Sequence, residues 1–257
     1  MRLAIEGGTP VRSTFMPYAH QQVNDDDVAA VAAVLRSDWL TTGPRIPALE
    51  AGLTEVTGAR HAVAFSSGTA ALHGATAAAG LGPGDEAITS PMTFVATANA
   101  VLYTGAEARF ADVDAGALLI EPAGIERSIT PRTRVILPVD YAGQPADYAA
   151  IRRIADAAPG GPLTIIADAS HSLGASRDGK RVGTLADLTV LSLHPAKIMT
   201  TGEGGAVLSE RLIDVPARRH AVEPQMAGDR LERPPVGRDH ADRLARSGHG
   251  PGRHDGS

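Results

Sequence analysis

Between residues 24 and 210, short apolar runs alternate with helical patterns so regularly that only a layered α/β arrangement accommodates them. "NDDDVAAVAAVLRS" offers Asn24 as an N-cap, acidic residues in the first turn, and Val28, Val31 and Leu35 on one helical face. "HAVAF" is a short strand that runs directly into the small-residue helix "SSGTAALHGATAAAG", closed by Gly80. After the turn "LGPGD" come the strand "EAITS", a helix around "FVATANAVLYTG", the strand "ARFADVD", a helix near 121–129 and the strand "TRVILPV". A helix from about 145 to 157 follows, then the strands "LTIIAD" and "LTVLSLH", with "GAVLSE" last. Repeats of this kind predict a mostly parallel sheet covered by helices on both faces. In such sheets ligands collect at the carboxyl ends of the strands, so the residues just after each apolar run say most about function.

Three of those strand ends carry chemistry. In "FSSGTAALH" a strand opens straight into a helix, presenting free N–H groups, the positive helix end and hydroxyls, a combination that suits a phosphate. Gly68 lets the backbone approach closely; the plainer reading is a helix cap with no ligand, and the Gly-Lys-Ser/Thr signature of a P-loop is missing. Asp168 ends "LTIIAD", where a carboxylate either caps the next helix or holds a proton on a ligand nitrogen. His171 follows three residues later, as a supporting group or a structural one. The third is Lys197. Only two of the 24 Lys and Arg residues are lysines, so lysine is not this chain's generic surface cation, and Lys180 sits in the polar turn "RDGKRVG". A partly desolvated lysine after a buried strand is a nucleophilic amine able to form a Schiff base; the alternative is a lysine that snorkels from a strand edge. Ser192, five residues earlier, adds a phosphate donor, and Phe94 offers a face for ring stacking. A phosphate cradle, a strand-end acid and a buried lysine are the three parts that hold pyridoxal 5'-phosphate.

Composition removes competing classes. The formal net charge of -5 gives no basic footprint for nucleic acid or an anionic membrane. With no cysteine there is no disulfide framework, thiolate metal site or thiol nucleophile. No apolar stretch is long enough to span a bilayer, and "MRLAIEGGTPVRS" lacks the apolar core of a signal peptide, so a cytoplasmic location is expected. The histidines do not cluster with other ligands at metal-binding spacing, and no metal is expected.

The segments "LRSDWLTTGP", "SSGTAALHGA", "SPMTFVATANAVLYTGAEARFADVD", "DASHSLGA" and "SLHPAKIMTTGEGGAV" resemble the sugar aminotransferases of the DegT/DnrJ/EryC1/StrS family, of fold-type I among pyridoxal phosphate enzymes. The resemblance spans nearly all of residues 5–210. It implies that Gly68, Thr69 and Ser192 contact the cofactor phosphate and that Phe94 stacks on the ring. It implies further that Asp168 pairs with the pyridine nitrogen, that His171 lies near the ring hydroxyl, and that Lys197 anchors the aldehyde and moves the proton. The implied partners are an amino-acid donor, L-glutamate foremost, and a nucleotide-linked 4-keto-6-deoxy sugar; within the family the wording is nearest to UDP-4-amino-4,6-dideoxy-N-acetyl-β-L-altrosamine transaminases. A homodimer sharing its sites is also implied. Some relatives carry histidine in place of the lysine and perform dehydration; Lys197 with Asp168 favours transamination over a dehydratase or lyase.

After residue 210 the pattern changes. Residues 211–257 contain none of the nine aromatics, which all lie at or before Tyr148, but hold nine arginines and four histidines in a Gly- and Pro-rich context. The expectation is a large domain over 1–210, followed by a tail that is disordered or read out of frame, with the family's small C-terminal domain absent. On that expectation the alternative to an active aminotransferase is a catalytically incompetent fragment.

Overall fold

The computed structural model describes residues 2–17 and 19–210; the expected tail over 211–257 lies outside the described residues. In chain order the helices and strands are α1 (Asp25–Leu35), α2 (Arg45–Thr57), β1 (His61–Phe65), α3 (Gly68–Ala78), β2 (Glu86–Thr89), α4 (Ala96–Tyr103), β3 (Glu107–Phe110), α5 (Pro122–Ser128), β4 (Thr133–Leu137), α6 (Tyr148–Asp156), β5 (Thr164–Asp168), the small hairpin β6 (Ser176–Arg177) and β7 (Lys180–Arg181), β8 (Leu188–Ser192) and β9 (Gly205–Ser209). Seven strands form one sheet in the order β1-β9-β8-β5-β4-β2-β3. All neighbours pair in parallel except at β9, which runs antiparallel to both β1 and β8.

The near-continuous apolar strand runs follow from burial on both faces. Val135, Leu137, Ile166 and Val190 pack under α3 and α4 on one side. Their immediate neighbours Ile136, Ile165 and Ala167 point the other way, onto α5 and α6. Over β1, β9 and β8 that second face is covered by Leu53 of α2 together with Val182. The α2 segment "RIPALEAGLTEVT" was not predicted from sequence, and a left-handed Gly58 ends it.

The apolar stripe of α1 has a different fate. Its N-terminus forms as expected, Asn24 and Asp27 each accepting a hydrogen bond from the other's backbone N–H. Yet none of its residues is buried, and Val28, Val31 and Leu35 are exposed. The periodicity announces a buried face for which no described residue supplies the cover.

Six parallel strands aim their carboxyl ends at one edge of the sheet, and β9 enters from that same edge. Register completes the convergence: Gly205 at the start of β9 pairs with Phe65 on one side and Ser192 on the other. The ends of β1 and β8 therefore flank it directly.

Candidate active site

At this edge β1 turns sharply into α3. Ser67 caps the helix by accepting a hydrogen bond from Ala70 N at 3.1 Å, which leaves the first-turn N–H groups of Gly68 and Thr69 without partners inside the helix. Gly68 is packed against Ser192 so closely that a Cβ there would lie 2.8 Å from the serine Cβ. Gly205 is equally constrained, since its Cβ would lie 2.6 Å from Gly68 N. Two glycines thus bring a helix N-terminus, a threonine and a serine hydroxyl into one small concave surface.

Lys197 arrives on the loop between β8 and β9, which folds back over the sheet edge. Leu193 pins it: its N–H donates to Gly204 O at 2.9 Å, and its carbonyl accepts from Thr201 N at 3.2 Å and Thr200 Oγ1 at 3.0 Å. The Thr-Thr-Gly-Glu-Gly-Gly run acquires a local reason here. Gly202 takes a left-handed φ of 83°, and Gly204 has no room for a Cβ against Thr201 and Leu193. The result is a half-buried Lys197 whose pKa is lowered by desolvation, with the Asp168 carboxylate opposing that shift.

Asp168 ends β5 and is 4% exposed. The helix it was expected to cap as its plainer role does not follow; residues 169–175 form turns. Its Oδ1 accepts from Ser170 Oγ at 2.6 Å and Ser170 N at 3.2 Å, and its Oδ2 accepts from Thr97 Oγ1 at 2.6 Å. Since Thr97 donates to the acid, Thr93, 2.6 Å away, donates to Thr97. Sequence reasoning did not single out Thr93, Thr97 or Ser170, because hydroxyls in loops and small-residue helices carry no distinguishing pattern. A carboxylate bonded in this way keeps lone-pair capacity for a further donor.

Gly68, Thr69, Phe94, Asp168, His171, Ser192 and Lys197 all line one cleft of about 330 Å³. His171 is half-buried, its pKa lowered by desolvation and then by the Lys197 charge, with Asp168 acting the other way. Its ring faces that of Tyr141 at 6.4 Å, and Tyr141, His194 and Glu203 join the lining. Phe94 is 72% exposed and stands at the cleft with its ring largely uncovered. A larger cavity, about 880 Å³, includes His61 and Leu188 from the opposite ends of β1 and β8 and contains none of the seven.

Comparison with known proteins gives this arrangement a context. Spore coat polysaccharide biosynthesis protein SpsC of Bacillus subtilis is 39% identical over 199 residues, covering 77% of this chain and 50% of the relative. Among solved structures, DesI in the presence of its TDP-sugar product superposes with a TM-score of 0.76 at 33% identity, covering 85% of this chain and 55% of that one. Spr1654 from Streptococcus pneumoniae, in its PLP form, gives a TM-score of 0.75 at 29% identity, covering 80% and 56%. The chain thus spans about half the length of these relatives. The family model matched is that of the DegT/DnrJ/EryC1/StrS aminotransferases, over residues 21–212. A mostly parallel sheet whose converging strand ends bring together a helix N-terminus packed on Ser192, a buried acid and a half-buried lysine is the local counterpart of that match, and the chain belongs to the DegT/DnrJ/EryC1/StrS aminotransferase family.

Proposed function

We propose that the chain is a pyridoxal 5'-phosphate-dependent aminotransferase that moves an amino group from an amino acid, L-glutamate foremost, to a nucleotide-linked 4-keto-6-deoxy sugar. The observation that carries the reading is the joint placement of Lys197, Asp168 and the Gly68–Ser192 cradle around one cleft. These residues fit the cofactor: the two glycines clear space for an anion at a helix N-terminus, and Asp168 retains acceptor capacity while it is held on both oxygens. When bound, the cofactor supplies an aldehyde that exchanges amino and keto groups and a ring that takes up the electron pair released at carbon.

The chain's own residues do the rest. Gly68 and Thr69 N–H groups and Ser192 Oγ hold the phosphate. Asp168 accepts from the ring nitrogen and favours its protonated state, while the Thr93–Thr97 chain and Ser170 keep the acid from rotating away. Lys197 Nζ would hold the aldehyde and, as a free amine, would serve as the base and acid that takes up and returns the proton. Burial lowers its pKa and so raises the fraction of free amine available for both tasks. Phe94, exposed at the cleft, would offer its face to the ring.

SpsC acts in spore coat polysaccharide biosynthesis and DesI has a TDP-sugar product, which supports a sugar nucleotide as acceptor. A cytoplasmic homodimer suits such an enzyme; exposed Val95, Leu102 and Tyr103, just before and along α4, offer apolar surface for a partner copy. Among the described residues no helix is long and apolar enough to cross a membrane. The test is a two-stage assay on the cofactor-loaded chain. Glutamate alone yields one equivalent of 2-oxoglutarate, and a 4-keto sugar nucleotide then restores the starting absorption spectrum. Cofactor uptake with no 2-oxoglutarate would contradict this reading.

A further inference from the structure

Behind Asp168 lies a second buried carboxylate that the reaction does not use. Asp140, three residues past the end of β4, is 0% exposed. Its Oδ1 accepts from Tyr148 Oη at 2.7 Å and Ala146 N at 2.9 Å, and its Oδ2 accepts from Ser172 Oγ at 2.6 Å. Its backbone N–H donates to Asp168 O at 3.0 Å, and Asp168 N–H donates back to Pro138 O at 2.9 Å. The neighbouring loops are therefore fastened together at this one side chain. On one side the turn 141–143 places Tyr141 on the cleft; on the other, Ser172 closes the turn that carries Ser170 and His171. The turn is tight, since a Cβ on Gly143 would lie 3.1 Å from His171 O.

Structural need alone does not call for a charge here. None of the ion pairs among the described residues involves Asp140. The groups that face it are Asp168 from β5, a like charge, and the neutral hydroxyls of Tyr148 from α6 and Ser172; Arg177 of β6 acts on Tyr148. A buried carboxylate beside another carboxylate is costly to ionise, and burial first, with Asp168 adding to it, pushes its pKa up to about 6 despite three hydrogen bonds.

Resting on the aminotransferase reading, we propose that Asp140 is a positioning residue for the cofactor end of the site: its carboxylate clamps the 168–172 turn and, as a second negative charge behind Asp168, strengthens the hold on a protonated ring nitrogen. The side chain trades stability for that field. Asn at this position keeps an acceptor for Tyr148 and Ala146, while Ser172 Oγ can turn its proton to Ala169 O, 3.4 Å away, and accept from the new amide.

Asp140→Asn in the full 257-residue chain separates the two roles. At pH 7.5 it is expected to melt no lower than the native chain, yet to bind pyridoxal 5'-phosphate about tenfold more weakly, the cost typical of losing a group that orients a ligand-holding side chain. In the cofactor-free chain the amide resonances of Ala169–Ser172 are expected to shift with a midpoint near pH 6, a step that persists in His171→Asn and vanishes in Asp140→Asn. Native cofactor affinity in Asp140→Asn, or an amide step unchanged by it, overturns the proposal. Should the native chain take up no cofactor, the aminotransferase reading falls, while the cofactor-free amide titration still decides whether Asp140 governs the turn. If Asp140→Asn does not fold, Tyr148→Phe removes one donor and must move the amide step to higher pH; an unmoved step is the contrary result.

Discussion

Burial at one strand edge is what gives Lys197 and Asp168 their chemistry, the lysine half-buried and the acid only 4% exposed. Asp140 shows the cost of such placement. Its folded pKa of about 6 lies above the ordinary 3.8, so folding favours the protonated acid. The contribution is fully present below pH 3.8, where both states are neutral, and is lost as pH rises through about 6. The shift corresponds to about 3 kcal/mol. Denaturant midpoints are accordingly expected to carry an Asp140-dependent fall between pH 4 and pH 6.5 that Asp140→Asn abolishes; equal pH dependence in both chains would contradict this. Ala142 stores strain of a different kind, with φ 54° and ψ 26° in a turn beside the site. Ala142→Gly relieves it and is expected to stabilise the chain by up to about 1 kcal/mol, visible as a melting temperature raised by a few degrees.

At the scale of elements, the cradle depends on two glycines that no larger residue can replace. Gly68→Ala would drive a methyl into Ser192, and Gly205→Ala would drive one into the Ser67–Gly68 backbone. Gly68→Ala is expected to weaken pyridoxal 5'-phosphate binding at least tenfold and to lower stability, since the methyl meets Ser192 Cβ, which no side-chain rotation moves. Gly205→Ala meets rigid backbone and is expected to lower the melting temperature more; equilibrium titration and thermal melts of both variants check the order. These elements differ in how much the sequence announced them. Strand-to-helix junctions at Phe65–Gly68 and the strand end at Asp168 were legible because apolar period and polar terminators coincide there. The reversed direction of β9 was not, because a strand buried on both faces has the same residue pattern whichever way it runs. Helix α2 is not legible in the sequence because Pro47 and Gly52 dilute its pattern, although its Leu53 closes one face of the core.

For the molecule as a whole, periodicity and cover part company. The stripe on α1 was legible as an apolar face, but only the structure shows that no described residue covers it. The site is the reverse case: its seven expected residues meet in one cleft, whereas Asp140, Thr93, Thr97 and Tyr141, which hold or line it, follow no sequence signal beyond the polar residue after a strand. The central claim is that this fold makes one lysine the nucleophile for the cofactor aldehyde. Borohydride reduction of the chain after incubation with pyridoxal 5'-phosphate at pH 8, followed by mass mapping, tests it most directly. Half-buried Lys197, its pKa lowered, is predicted to carry the adduct, while exposed Lys180 and the N-terminal amine remain largely unmodified. An adduct spread over Lys180 and the N-terminus, or none on Lys197, would contradict the account.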